Sequence, residues 1–151
     1  MSKAQKFLQL STSEKCMLIQ ALLLLPFCAV VLRLRGVRCL VPASAESFPT
    51  ACNPEQGTAL QQAHAVARMV GLAARWGPYR ANCLKRSLVA CWLLRRQGIA
   101  CALRIGVRKE FNQIEAHAWL EYLGEPLNEG ADIHLRFSPF GRIVPQEVNW
   151  T

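Results

Sequence analysis

The chain has no Cys-x-x-Cys pair, only three histidines, and no acidic residue between Gln56 and Lys109. Each shortage removes a class of protein. Its seven cysteines (Cys16, Cys28, Cys39, Cys52, Cys83, Cys91 and Cys101) are odd in number and sit mostly in apolar runs. A free thiol packs there as a small hydrophobe. A zinc site and a secreted disulfide scaffold are therefore not expected, and a reducing cytoplasm is. The sequence lacks a helix-turn-helix signature, zinc-finger spacing and an RNA-motif aromatic pattern, so nucleic acid is not an expected partner. There is no internal repeat and no low-complexity tract. The missing acids make the charge lopsided. Residues 56–109 carry ten Lys/Arg, whereas Glu110 to Glu147 holds seven acids and two Arg, within a net charge of +8. One basic face follows, either a solvated set of helix faces or an attractor for an acidic peptide or an anionic surface. With 151 residues, 52% of them hydrophobic, the chain suffices for one domain with a real core.

The longest apolar run, Met17 to Leu32, spans sixteen residues and contains Gln20 and Pro26. It is shorter than the roughly 20 residues a membrane-spanning helix needs. Ala43-Ser44-Ala45 resembles a signal-peptide cleavage site. The run starts late, however, follows the polar Ser11-Thr12-Ser13-Glu14, and is followed by Arg33, Arg35 and Arg38, which oppose export. Ser11 or Ser13 reads as an N-cap with the start of a capping box. The pattern predicts a helix over 13–25 and a second, or its continuation past a Pro26 kink, over 27–36. This segment would be buried against the rest of the domain or a partner, and weak membrane association remains open. The expected organisation is an apolar helical segment over 1–40, a Pro/Ser/Ala-rich linker over 41–57 and a core over 58–151.

In the core, residues 58–75 recur at helical spacing and end at Trp76-Gly77-Pro78-Tyr79. From Cys83 a second helical pattern runs to Gly98, with Leu84, Leu88, Cys91, Trp92 and Leu94 on an apolar side. Cys83 thus opens a helix, where unpaired N–H groups favour a thiolate and its own N–H can donate to an oxyanion. Asn82 either caps that helix or adds a second donor, and capping is the preferred reading. Strands are predicted over 99–107 and 115–123, with a loop over 108–114 between them. The second strand carries His117, Trp119 and Glu121 on one face. A turn at Gly124-Glu125-Pro126 leads into a returning strand from Leu127-Asn128-Glu129, and a further strand is expected over Ile133–Phe137. A cysteine inside an apolar helix, such as Cys91, reads as core. His64 and His134 read as ordinary core or surface residues. Cys83 differs by its position, and a carboxylate on the returning strand could reach the His117 imidazole. Cys and His so placed form an activated nucleophile.

The ordered segments Cys83-Leu84-x-Arg86-Ser87-Leu88, Leu93-Leu94-Arg95-Arg96-x-Gly98-Ile99, Ile105-Gly106-Val107-Arg108, His117-Ala118-Trp119-x-Glu121 and Leu127-Asn128-Glu129 resemble the lasso-peptide biosynthesis leader peptidases of the microcin-processing type. These are cysteine proteases of the transglutaminase-like superfamily. The resemblance covers roughly residues 60–130. It implies an α+β fold with a transglutaminase- and papain-like core, a Cys-bearing helix packed on a small antiparallel sheet, preceded by the N-terminal helical segment. It implies Cys83 as nucleophile, His117 as general base and acid, and Glu129 as the third member where the family usually has Asp, with Asp132 as the rival. It implies no metal or organic cofactor. The implied partners are a precursor leader peptide, a separate leader-binding protein, because this chain looks like the stand-alone form, and an ATP-dependent macrolactam cyclase. The alternatives are acyl transfer to an amine, as transglutaminases perform, and a non-catalytic scaffold subunit of a maturation complex.

Overall fold

A computed structural model describes residues 10–36, 56–110 and 113–139. Residues 41–55 of the expected linker lie outside it. The N-terminal pattern forms one continuous helix, α1 (Thr12–Arg35), which runs on through Pro26. Ser11 is its N-cap: its hydroxyl accepts from Glu14 N–H at 3.2 Å, and the Glu14 carboxylate accepts from Ser11 N–H at 2.9 Å. This reciprocal capping box satisfies two of the donors a helix start leaves open. Gly36 ends the helix at φ +71°, its N–H bonded to the Leu32 carbonyl.

Helices α2 (Gln56–Trp76) and α3 (Cys83–Arg96) follow. Leu18, Ala21, Leu25 and Cys28 of α1 are buried in one cluster with Ala63, Val66, Met69 and Val70 of α2 and Leu88, Leu93 and Leu94 of α3. The N-terminal helix is therefore a wall of the main core. Arg68 of α2 pairs with Glu14 across this packing. At the end of α2, a Cβ on Gly77 would lie 2.5 Å from the Ala73 carbonyl oxygen and 2.7 Å from Leu22, so only glycine lets α2 turn this close to α1.

Next comes an antiparallel hairpin of β1 (Ala102–Glu110) and β2 (Gln113–Tyr122), in which Gly106 pairs with His117 and Ile105 with Ala118. The strands thus extend through most of the expected loop over 108–114, and only residues 111–112 lie outside the description. Leu123 (φ +51°) and Gly124 (φ +85°) form a two-residue turn of the kind that suits strand twist. It leads to β3, which is only Glu125–Pro126. The sheet order is β3-β2-β1-β4, with β4 at Ser138–Pro139. The fold is α+β, three long helices against a four-stranded antiparallel sheet.

Two expected strands are corrected. The returning strand does not continue into Leu127-Asn128-Glu129. Instead the Asn128 side chain takes the place of a ladder partner, its Oδ1 accepting from Leu120 N–H at 2.8 Å. Residues Ile133–Arg136 form a short helix, α4. Its i→i−4 bonds, Arg136 N–H to Asp132 and Phe137 N–H to Ile133, set Ile133 and Phe137 on one side, where both are buried against Trp119. The I-x-L-x-F alternation suggested a strand, but Leu135 is 90% exposed. The apolar contact is spaced by four residues, not two.

Candidate active site

The site is built where α3 meets the outer edge of β2. Because β3 is two residues long, the backbone of β2 near His117 has no strand beyond it, and its polar groups need other partners. Side chains supply them. Ser87 is fully buried and donates to the Ala118 carbonyl at 3.1 Å. Asn128 Nδ2 donates back to Ser87 Oγ at 3.1 Å while its Oδ1 holds Leu120 N–H. One serine thus ties the cysteine helix to the strand residue next to His117.

Cys83 is the first residue of α3 and half-buried. Asn82 is the N-cap: its side chain accepts from Lys85 N–H at 3.1 Å and its carbonyl from Arg86 N–H. The cap leaves the N–H groups of Cys83 and Leu84 without intrahelical partners, as a first turn must. The loop before it is held by Lys85 Nζ donating to the Tyr79 hydroxyl at 2.7 Å.

On β2, the His117 ring stacks on Phe137 with centroids 5.1 Å apart. Its Nε2 lies 3.0 Å from Glu129 Oε1. The approach falls outside hydrogen-bond geometry, and the buried Nε2 has no hydrogen-bond partner among the described residues. Glu129 Oε1 is also 3.4 Å from an Arg86 guanidinium nitrogen, which places the carboxylate between α3 and β2. Asp132, by contrast, is exposed at the start of α4 and faces Arg136 at 3.8 Å. Among the described residues no hydrogen bond joins Cys83 to His117. Such bonds are often long before substrate tightens them. Cys83 lies one turn before Arg86, which contacts Glu129, and Ser87, which contacts β2.

Beneath His117 lies a buried polar network. Trp119, fully buried, donates its indole N–H to Glu121 at 2.8 Å, and Arg104 binds the other carboxylate oxygen at 2.9 Å. His134 Nε2 lies 3.5 Å from Glu121, so this histidine is a surface partner of the network. His64 faces Glu125 at 3.8 Å. Opposite His117 in register, a Cβ on Gly106 would sit 2.9 Å from both the Ser138 carbonyl and the Trp119 ring. Glycine lets that ring and β4 close under the site.

The residues that sequence reading left without a role are Ser87, Asn128 and Phe137. Ser87 had a visible signal, a hydroxyl on the buried stripe of α3. Asn128 and Phe137 acquire theirs only once β3 proves short and residues 133–136 helical. An open cleft of about 540 Å³ borders the site, lined by His64, Arg68, Arg86, Asn128 and Glu129.

The family model of the transglutaminase-like superfamily matches residues 21–142. The chain belongs to the transglutaminase-like superfamily. That superfamily includes cysteine proteases and acyltransferases, and the match begins inside α1, in keeping with that helix's place in the core. The chain matches no curated protein and no solved structure. Among the described residues of this superfamily member no cluster could hold a metal ion. Its other buried thiols belong to the core. Cys91 and Cys101 lie 3.4 Å apart. The Cys101 thiol, hydrogen-bonded to Cys91, holds the Cys91 thiol down at about 7; burial opposes this and Arg95 adds to it. The same hydrogen bond pushes Cys101 up.

Proposed function

We propose that this chain is a cysteine peptidase that removes the leader from a lasso-peptide precursor, with Cys83, His117 and Glu129 as its triad. The observation that carries the reading is the 3.0 Å approach of Glu129 to His117 Nε2, on the edge to which Ser87 ties a helix beginning with Cys83. With Nε2 turned to the carboxylate, Nδ1 is the nitrogen left for the thiol. His117 takes the Cys83 proton, and the thiolate attacks the carbonyl at the leader–core junction. The Cys83 N–H and a second donor, such as the first-turn Leu84 N–H, hold the oxyanion. His117 then protonates the leaving amine and activates the water that hydrolyses the thioester. Glu129 orients the ring. The open cleft beside the site, lined by polar and charged side chains, offers room for a peptide substrate. A separate leader-binding protein would deliver the precursor and an ATP-dependent cyclase would use the product, all in a reducing cytoplasm.

The test is mass spectrometry of a lasso precursor incubated with the protein, with and without a leader-binding protein, and with Cys83→Ala as control. The expected result is two fragments that require Cys83 and increase with the partner. Loss of ammonia or cross-linked mass in place of a cut would instead assign acyl transfer. An intact precursor, with a folded protein and a competent partner, would remove the enzymatic reading.

A further inference from the structure

Helix α1 is apolar on two opposite sides. Leu18, Ala21, Leu25 and Cys28 are buried in the core. Ile19, Leu23, Phe27, Val30 and Leu34 are 52–77% exposed. At 100° per residue these five fall within an arc of about 80°, a ridge roughly 22 Å long. Phe27 shares a groove of about 140 Å³ with Trp92 of α3, which is itself 44% exposed, so the ridge continues onto α3. Cations border it: Arg33 and Arg35 in the last turn of α1, and Arg96 stacked 4.8 Å over the Trp92 ring. The three long helices together carry nine Lys/Arg and one acid, Glu14. A large exposed apolar patch requires something to cover it.

We infer that this ridge docks the protein in the plane of an anionic lipid bilayer, with α1 and Trp92 at the headgroup level and the arginines on lipid phosphates. An apolar helix face with flanking Arg and an interfacial Trp suits that surface. By length and composition α1 could cross a membrane, with a mean hydropathy of 2.3 over eighteen residues. Crossing would strip its inner side from α2 and α3 and expose both, so the packed fold allows only a helix lying flat. A second copy of the chain is a poor occupant, because Arg33, Arg35 and Arg96 would meet their own counterparts. The inference is independent of the peptidase reading.

The test is flotation of the full chain with vesicles of phosphatidylcholine alone and with 30 mol% phosphatidylglycerol. Variants are Leu23→Glu with Phe27→Glu, Arg33→Glu with Arg35→Glu, and, at an exposed leucine of α4 outside the ridge, Leu135→Glu as control. Thermal melts confirm that each is folded. The wild type and Leu135→Glu are expected to float with the anionic vesicles and to be released by alkaline carbonate. Reversing the two arginines should lower partitioning by at least roughly 30-fold at low salt, and the ridge variant should remain unbound. A folded wild type that ignores anionic vesicles, variants that float like it, or binding that resists carbonate would each overturn the inference. So would self-association, or a complex with a soluble protein, that the same variants abolish while vesicles are ignored.

Discussion

Replacing Ser87 by alanine tests the join on which the whole site depends. The hydroxyl is fully buried and makes two hydrogen bonds, to the Ala118 carbonyl and from Asn128 Nδ2, both 3.1 Å. Alanine removes both and leaves no room for a replacement donor. A buried group that loses its partner costs about 1–3 kcal/mol. The Ala118 carbonyl bears the full cost, while half-buried Asn128 recovers part of it from water. The sum is about 2–4 kcal/mol, a large share of the 5–15 kcal/mol typical of a domain. At about 2–4 °C per kcal/mol for this size, the melting temperature should fall by about 5–15 °C. Urea unfolding should show a lower midpoint with an unchanged slope. A double-mutant cycle with Asn128→Ala should give a coupling of at least about 0.5 kcal/mol. Because the edge carries His117, kcat should fall as well, with KM nearly unchanged. A Ser87→Ala protein within about 0.5 kcal/mol of wild type, or additive with Asn128→Ala, would refute the reasoning.

Glu129→Ala should lower kcat by roughly 10²–10⁴-fold, the range expected when an imidazole loses its orienting carboxylate. Asp132→Asn should leave the rate unchanged, and steady-state kinetics of both variants checks the assignment. Gly106→Val places side-chain atoms where even a Cβ would lie 2.9 Å from the Ser138 carbonyl and the Trp119 ring. It should cost about 1–3 kcal/mol by overpacking, measured by thermal unfolding. The Glu14 carboxyl is held below its ordinary value of 4.5 by the Ser11 backbone N–H first, then the Ser11 hydroxyl, with Arg68 adding to it against burial. A depressed carboxyl stabilises the fold above pH 4.5 and ceases to do so as pH falls through its lowered value. The stability gap between wild type and Glu14→Gln should therefore be present at pH 6 and close below pH 4.5 in urea titrations.

Local signals carried much of this architecture in the sequence. Ser11-x-x-Glu14 announced the start of α1, Asn82 before Cys83 the start of α3, and Gly98, found at φ +75°, the end of that helical pattern. Both strands of the β1–β2 hairpin were visible as alternating runs, while their pairing emerges only in the structure. What failed depended on neighbours. Ile133, Leu135 and Phe137 alternate like a strand, and only the single patch offered by Trp119 selects the helix that brings 133 and 137 together. Leu127-Asn128-Glu129 looked like a strand because nothing local reveals that an amide side chain will stand in for the ladder. In the candidate site, the approach of a carboxylate from the returning segment to His117 was legible from position and order. Ser87 was not given a role, since a hydroxyl on an apolar helix gains its meaning only from the unpaired strand edge beside it.

The two-sided apolar character of α1 also governs how the helix tolerates change. A mutational scan scored on folding should be strict at Leu18, Ala21, Leu25 and Cys28 and permissive at Ile19, Leu23, Phe27, Val30 and Leu34, dividing one helix into alternating sensitive and silent positions. A scan scored on where the protein resides should light up the silent set. Polar replacements along the outer five would then yield a more soluble protein with an intact fold that no longer docks on anionic vesicles. Shortening the chain from its N-terminus past Leu18 would instead remove core side chains and cost the fold itself.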